Sequence, residues 1–287
     1  MEVHRCEGAA QFLDATLAYR GDQPLRTNVL GSVAATAASG GYTEQFWWVV
    51  HDADGRVVGA AMRTAPYALS LGPMPVPAAV AVAAAVAAAD DEVPAVAGFA
   101  PCTDAFLAAY AEAGTPGGRR AVVTSHRQVL YTATAVRPPE VPGAVRVATT
   151  DEAALAQQWY LDFTEEIDGA RLPPSDQERE IVLGTLREGR LRWWWDAGEA
   201  VSMAAHAVPV ETPGATVTRI GPVYTPPSRR RHGYAAALTG QLTELLLARG
   251  SLAMLYADAA NATSRGVYER LGYVAVDELV RATLAPL

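Results

Sequence analysis

Lysine is missing from this sequence: all 23 basic residues are arginine, from Arg5 to Arg281. A chain without lysine has no Schiff-base nucleophile, no pyridoxal-phosphate anchor and no P-loop lysine, so those chemistries are excluded by inventory. Cysteine is scarce too. Cys6 and Cys102 are the only ones, with no partner at metal-ligand spacing and too few for a disulfide framework. The histidines, His4, His51, His126, His206 and His232, are scattered and form no HxxxH pattern. No metal site is expected. Long apolar runs are absent as well. The longest, Pro75 to Ala89, is alanine-rich and too short to span a bilayer. The opening stretch, Met1 to Ala15, carries acids and no apolar signal core. A soluble, cytoplasmic protein with no membrane partner is expected. Basic excess is lacking: with 31 acids the formal net charge is -8, which disfavours nucleic acid as a partner.

What is present is an ordered, globular composition, 50% apolar and 19% charged. At roughly 150 residues per domain, 287 residues suggest about two domains. The sharpest boundary signal is Arg-Pro-Pro-Glu-Val-Pro-Gly-Ala at residues 137–144. Its prolines and glycine continue neither a helix nor a central strand, and it reads as an interdomain linker.

After it, the patterning predicts a strand over 144–148, helices over 151–166 and 175–189, and a hairpin of 190–196 with 200–209 turning at Ala197-Gly198. Then come a strand over 216–224, a helix over 233–249 stopped by Gly250, a strand over 252–257, a helix over 261–271 and a last strand over 274–283. Before the linker the reading is a hairpin of 45–51 with 56–63, strands over 67–71 and 95–99, helices over 76–89 and 103–113, and a strand over 119–134. The two halves share the order strand, helix, strand, helix, strand. In each, the first of these strands ends in Gly-Pro (Gly72-Pro73 and Gly221-Pro222). An internal duplication is expected.

The most informative stretch joins a strand to a helix start: Val223-Tyr224-Thr225-Pro226-Pro227-Ser228-Arg229-Arg230-Arg231-His232-Gly233-Tyr234-Ala235. Helix N-termini carry unpaired N–H groups and a positive dipole end, which attract anions. Arginines there cost roughly 0.3–1 kcal/mol each when exposed. A bound polyanion would repay that cost. Gly233 permits close approach of the backbone, and small Ala235 does the same. Downstream, Asn261, Ser264 and Tyr268 fall at i, i+3 and i+7 on one helix face, and a tyrosine held there could serve as a general acid.

Taken together, Arg230-x-x-Gly233-x-Ala235 and Asn261…Tyr268…Gly272-Tyr273 resemble the two signatures of the GNAT superfamily of acyl-CoA-dependent N-acyltransferases. The resemblance is clear over 144–287. In the first half only the element order is similar, and Pro75-Val76-Pro77-Ala78 stands where the loop motif should be.

The resemblance implies an α/β chain of two GNAT-like domains, each a mixed, mostly antiparallel twisted sheet flanked by helices. Residues 1–136 would be a degenerate copy, 137–144 the linker and 145–287 the catalytic domain. It further implies an acetyl-CoA site. The strand end Val223, Tyr224 and Thr225 would pair with the pantetheine arm. Backbone N–H groups across Arg230, Arg231, His232, Gly233, Tyr234 and Ala235 would cradle the diphosphate. Asn261 and Ser264 would touch the cofactor, and Tyr268 would protonate the departing thiolate.

For the base that takes the amine proton, Glu166 is favoured over Glu165, at the end of a helix that borders the acceptor site in this fold. His206 has a suitable ordinary pKa, but a lone strand histidine is more often structural, and one of Trp193, Trp194 and Trp195 could wall the acceptor pocket. The implied reaction is acetyl transfer from acetyl-CoA to an amine of a small molecule or peptide, without metal. A homodimer is compatible with it. The alternative is an acyl-CoA-binding sensor or partner-binding module without efficient catalysis. An aminoacyl-tRNA donor is disfavoured by the acidic charge balance.

Overall fold

The computed structural model describes residues 1–89, 93–114, 118–168 and 175–286. The first half runs β1 (Glu2–Arg5), α1 (Ala9–Ala15), α2 (Leu17–Asp22), α3 (Asn28–Ala38), β2 (Gln45–His51), β3 (Val57–Thr64), β4 (Leu69–Leu71), α4 (Val76–Ala89), β5 (Ala95–Phe99), α5 (Cys102–Ala113) and β6 (Arg120–Ala133). The second runs β7 (Ala144–Val147), α6 (Ala153–Asp168), α7 (Asp176–Arg187), β8 (Leu191–Asp196), β9 (Glu199–His206), β10 (Val210–Thr212), β11 (Ala215–Tyr224), α8 (Tyr234–Ala248), β12 (Ser251–Asp258), α9 (Ala262–Leu271) and β13 (Val274–Pro286).

Local chemistry accounts for many boundaries. Ser175 and Glu178 form a reciprocal capping box at α7: the Glu178 N–H donates to Ser175 Oγ at 3.1 Å, and the Ser175 N–H to Glu178 Oε2 at 2.8 Å. The β8–β9 turn places Ala197 and Gly198 at φ 48° and 85°, the left-handed pair a tight hairpin needs. Asn261 Oδ1 accepts the Ser264 N–H at 2.9 Å and starts α9. Gly272, at φ 110°, ends it. The helices α1–α3 were not legible from patterning: they are short and interrupted around Thr16 and by the Asp22–Thr27 stretch.

All the strands form one sheet, in the order β1-β2-β3-β4-β5-β13-β6-β12-β11-β9-β8-β7, with β10 paired to β11 off that path. If β7, β8, β9, β11, β12 and β13 are matched to β1 through β6, the order reads the same from either edge. The pairings are antiparallel except β4–β5 and β11–β12. At the centre the halves exchange strands. β13, the end of the chain, pairs with β5 (Leu279 opposite Phe99), and β6 pairs with β12 (Met254 opposite Thr132). β6 and β13 also pair with each other along most of their length.

Two expectations change as a result. A division at 1–136 and 145–287 describes the sequence repeat but cuts through the sheet, because each half contains the other's sixth strand. Nor is 137–144 a free linker. Pro138 packs on Gly240 of α8, Val141 packs over Gly233, the Trp194 indole N–H donates to Pro142 O at 2.8 Å, and the Arg137 N–H donates to Leu271 O at 2.9 Å. Proline and glycine mark a chain that is neither helix nor strand, and a strap satisfies that pattern as well as a tether does.

The cores follow the sheet faces. Leu238, Leu242 and Leu246 of α8 meet Ile220 and Leu255 on one face of the second half. Trp159, Val182 and Leu186 of α6 and α7 meet Trp193, Met203 and Tyr224 on the other. In the first half, α4 and α5 bury Val82, Val86 and Phe106 against Leu71 and Val96. Between the halves Phe99, Leu130, Val217, Met254 and Leu279 make a shared cluster. Large apolar side chains contribute roughly 1.5–3 kcal/mol each on full burial, so this junction resists separation. One polar clamp crosses it: Asn28 Nδ2 donates to Val217 O at 2.9 Å.

Candidate functional site

The site begins where two parallel strands part. β11 and β12 pair from Thr216–Ser251 to Arg219–Met254 and no further. Beyond that point β11 is bulged between Ile220 and Val223, over Gly221-Pro222, before it pairs with β9 at Val223 and Tyr224. β12 continues to Asp258 with β6 as its neighbour. A bulge bends a strand and turns its backbone groups out of the ladder. The facing edges of β11 and β12 are therefore available to a third extended chain.

At the mouth of this split lies the arginine loop. Arg231 and Gly233 have φ of 69° and 83°, a conformation that is strained for the arginine and suited to the glycine. No acceptor among the described residues takes the N–H groups of residues 231–236. The first bond of α8 is from the Ala237 N–H to Gly233 O at 2.9 Å, and Gly233 caps the helix without a side chain. A row of N–H groups at a helix start with no acid in the first turn presents donors of the kind that attract an anion.

The arginines are held apart. Arg229 is ion-paired with Glu199 and Arg230 with Glu166. Arg230 Nε also donates to Thr225 O at 2.8 Å. Arg231 has no ion pair among the described residues, and residues 228–233 are exposed.

The remaining expected residues divide between backbone and side-chain roles. The Tyr224 ring is buried against Trp159 at 5.8 Å, so only its backbone can face the split. Thr225 Oγ1 shares a 2.8 Å hydrogen bond with Ser202 Oγ. Tyr234 is buried, stacks on His232 at 5.4 Å, and donates to Asp196 Oδ2 at 2.6 Å. Val223 packs in the same cluster as Tyr268, Ala257 and Ala235's neighbour Ala236. Asn261 is exposed and spends its carbonyl oxygen on the Ser264 N–H.

Tyr268 is half-buried, with Tyr273 at 6.0 Å and Tyr131 at 6.4 Å between ring centres. Burial pushes its hydroxyl up to about 12, so it keeps its proton at neutral pH. Sequence reasoning missed Tyr131, which arrives on the exchanged strand β6. Its hydroxyl donates to Glu269 Oε1 at 2.9 Å and accepts from Arg265 Nε at 3.3 Å. No local sequence signal brings a residue of the first half to this helix.

On the acceptor side, the structure departs from expectation at the tryptophans. Trp193 and Trp194 are buried in opposite cores, their indoles bonded to Glu152 Oε2 (3.0 Å) and Pro142 O. Trp195 lies under Arg146, 4.1 Å from guanidinium carbon to ring centre. None is left to wall a pocket. His206 is buried, its Nδ1–H donates to Ala207 O at 2.9 Å, and burial aided by nearby arginines lowers its pKa to about 4. It is a neutral core residue. Glu166, expected as a base, is the counter-ion of Arg230.

Comparison with known proteins agrees with this geometry. The FR47-like protein family matches residues 202–282, which hold the β11–β12 split, the loop and α9. Among solved structures, a GNAT-family acetyltransferase from Colwellia psychrerythraea is 12% identical with a TM-score of 0.60, covering 99% of this chain and 100% of its own. A tandem GNAT protein from the clavulanic acid biosynthesis pathway is 12% identical, with a TM-score of 0.59 and coverage of 99% and 98%. A GCN5-related N-acetyltransferase from Kribbella flavida is 18% identical, with a TM-score of 0.57 and coverage of 92% and 95%. No curated protein sequence matches the chain. The chain thus shares the fold of these GNAT-family structures, and residues 202–282 are similar to the FR47-like family. In this chain the unit is repeated twice on one continuous sheet.

Proposed function

We propose that the second half is an N-acetyltransferase that moves an acetyl group from acetyl-CoA to an amine of a small molecule or peptide. One observation carries this reading: unpaired N–H groups at residues 231–236 stand at the mouth of the β11–β12 split, which suits a diphosphate joined to an extended pantetheine arm. The donor set is cationic and N–H-rich, as a CoA diphosphate requires. Acetyl-CoA supplies an activated thioester. The chain holds the diphosphate at residues 231–236, aligns the arm along Val223–Thr225, and keeps a proton on Tyr268 for the sulfur. Attack by a neutral amine needs no covalent enzyme intermediate, and much of the rate comes from positioning.

The protonation state of Tyr268 sets its share. A thiol ionises near 8.5 and this phenol near 12, so full transfer to a free thiolate runs uphill. Tyr268 acts best as a hydrogen-bond donor while charge builds on sulfur. Glu166 enters in one of two roles, acceptor of the amine proton or anchor of Arg230, and its ion pair supports the second. That engagement is also what favours the alternative, an acyl-CoA-binding module without efficient catalysis.

The deciding experiment is calorimetry of CoA and acetyl-CoA on the full chain, followed by an amine panel read by free-thiol release. Binding that depends on residues 231–236, with thiol release on addition of an amine, is the expected result. Binding without release for any amine favours the module. No binding overturns both.

A further inference from the structure

Beneath the split lies a group of polar side chains that satisfy nothing around them. Ile220 points into the α8 face of the sheet and Val217 into the cluster between the halves, so Arg219 shares the Val217 face by strand alternation. Arg219 is also the last residue of β11 paired with β12, where an arm running between the two strands must stop. Tyr256 of β12 lies on the same face, at the edge of the shared cluster.

The first half covers this spot with Tyr42 and Tyr67, whose rings meet edge-on at 6.2 Å. Gln177 of α7 ties down the same stretch, donating from Nε2 to Ala65 O at 3.3 Å. Arg219 is close enough to act electrostatically on both Tyr42 and Tyr256, and Tyr67 is coupled in the same way to Tyr42 and to Tyr160 of α6.

Three buried atoms here have no hydrogen-bond partner: Arg219 Nε, Tyr67 Oη and Tyr256 Oη. Tyr67 has the Gln177 side chain as a neighbour but no bond of normal geometry to it. Each of the three groups can donate. Arg219 has no carboxylate partner among the described residues, and nearby acids are engaged elsewhere: Asp277 with Arg26 at 2.6 Å, and Glu178 in the Ser175 capping box. Buried donors without acceptors are costly and rarely kept without reason. A half-buried guanidinium beside phenol donors is complementary to a planar anion.

We propose that the acceptor amine carries a carboxylate, and that Arg219, helped by Tyr67 and Tyr256, binds it at the junction of the two halves. The inference rests on the reading of the second half as an acetyltransferase. It adds what that reading leaves open: the chemical class of the acceptor, and a role for the first half in choosing it.

The test is calorimetry on the full chain in the presence of CoA, with amines in matched pairs of acid and primary amide: alanine, phenylalanine, β-alanine and 4-aminobenzoate. At least one acid should bind ten or more times more tightly than its amide (roughly one charge-assisted contact). Arg219→Gln should erase that preference, Arg219→Lys should keep part of it, and Tyr67→Phe should weaken acid binding by about three- to tenfold. CoA affinity should stay at its wild-type value in all of them. Should Arg219→Gln fail to fold, the lysine and phenylalanine variants carry the test. Equal binding of acids and amides, no binding by any pair, or an intact preference in Arg219→Gln would each overturn the proposal. Failure of CoA to bind the wild-type chain is a different result, and sinks the acetyltransferase reading itself.

Discussion

The two halves share one order of elements, apart from an extra helix in the first and the extra strand β10 in the second, yet they differ at the corresponding strand ends. In the second half β11 and β12 part after Arg219 and Met254. In the first, β4 and β5 pair at Leu69–Val96 and Ser70–Ala97, and the next residues stay pressed together. A Cβ on Gly98 would lie 2.9 Å from Leu71 Cβ and 2.6 Å from Thr103 Oγ1. Tyr19 plugs the exit by donating from its hydroxyl to Pro73 O at 2.8 Å, and the Cys102 thiol is directed at Phe99 O at 3.0 Å. The helix starts differ as well. Pro75 and Pro77 have no N–H to offer, and the Ala78 and Ala79 N–H groups are consumed by Pro75 O. The two Gly-Pro dipeptides are therefore not equivalent. Gly221-Pro222 sits within a bulge that opens a strand, whereas Gly72-Pro73 follows the end of one. A repeat can keep its fold while one copy closes the slot that the other keeps open.

The harshest way to break this comparison is to cut the chain at residues 137–144. Because β6 completes the second half and β13 the first, neither 1–136 nor 145–287 should show a cooperative thermal transition alone, while the two expressed together should recover one. Independent, sharp unfolding of each piece would mean that the exchange is dispensable.

Next in size is the loop itself. Gly233→Glu puts bulk and negative charge among the N–H groups and should raise the Kd for CoA by more than 100-fold, equivalent to about 2.7 kcal/mol or more. At ligand concentrations of 100 times the wild-type Kd the wild-type chain should gain about 2.7 kcal/mol from CoA, and the variant no more than about 0.4 kcal/mol. Gly233→Ala is the control for backbone strain, since any side chain there meets φ 83° and a Val141 methyl at 3.0 Å. The mirror change Val76→Glu at the start of α4 should leave CoA binding untouched. A loss of binding in Val76→Glu would show that the first half is not closed.

Smaller again is Tyr268→Phe. The ring still packs against Tyr131 and Tyr273, so the Kd for CoA should move little. The kcat should fall by about 10²-fold, the low end for a general acid, because a phenol near 12 shares its proton but surrenders it reluctantly. An unchanged kcat would make Tyr268 a packing residue.

How much of this was legible beforehand follows the range of the forces involved. Caps and turns act over a few residues, so Ser175, Asn261, Gly272 and the Ala197-Gly198 turn stood out in the sequence. Likewise the spacing of Arg230, Gly233 and Ala235 pointed to a loop of unpaired N–H groups, because it is one strand-to-helix junction. The strand exchange was hidden. Which strand lies beside β12 depends on pairing across more than a hundred residues of chain, and nothing in the pattern of β6 marks its neighbour. Tyr131 was missed for the same reason, and Arg219 looked like any arginine on an alternating strand. The ion pair between Glu166 and Arg230 joins residues 64 apart, so the sequence could not show that Glu166 has a partner.

That pair yields the smallest effect, and it separates two roles for one carboxylate. If Glu166 anchors Arg230, then Glu166→Gln removes a partly exposed ion pair, worth about 0–1 kcal/mol. The Kd for CoA should then shift by up to about fivefold, and the shift should shrink at high salt as screening takes over. The kcat should stay within about threefold of wild type, and its pH profile should keep its acidic limb. If Glu166 instead takes the amine proton, kcat falls by about 10²–10⁴-fold with CoA affinity unchanged. The two outcomes move different parameters. The same substitution in an Arg230→Gln background adds a control: an anchor has nothing left to hold there, so Glu166→Gln should add almost nothing further to the loss of CoA affinity. A base would still cost its full factor in kcat, because the proton it removes does not depend on the loop.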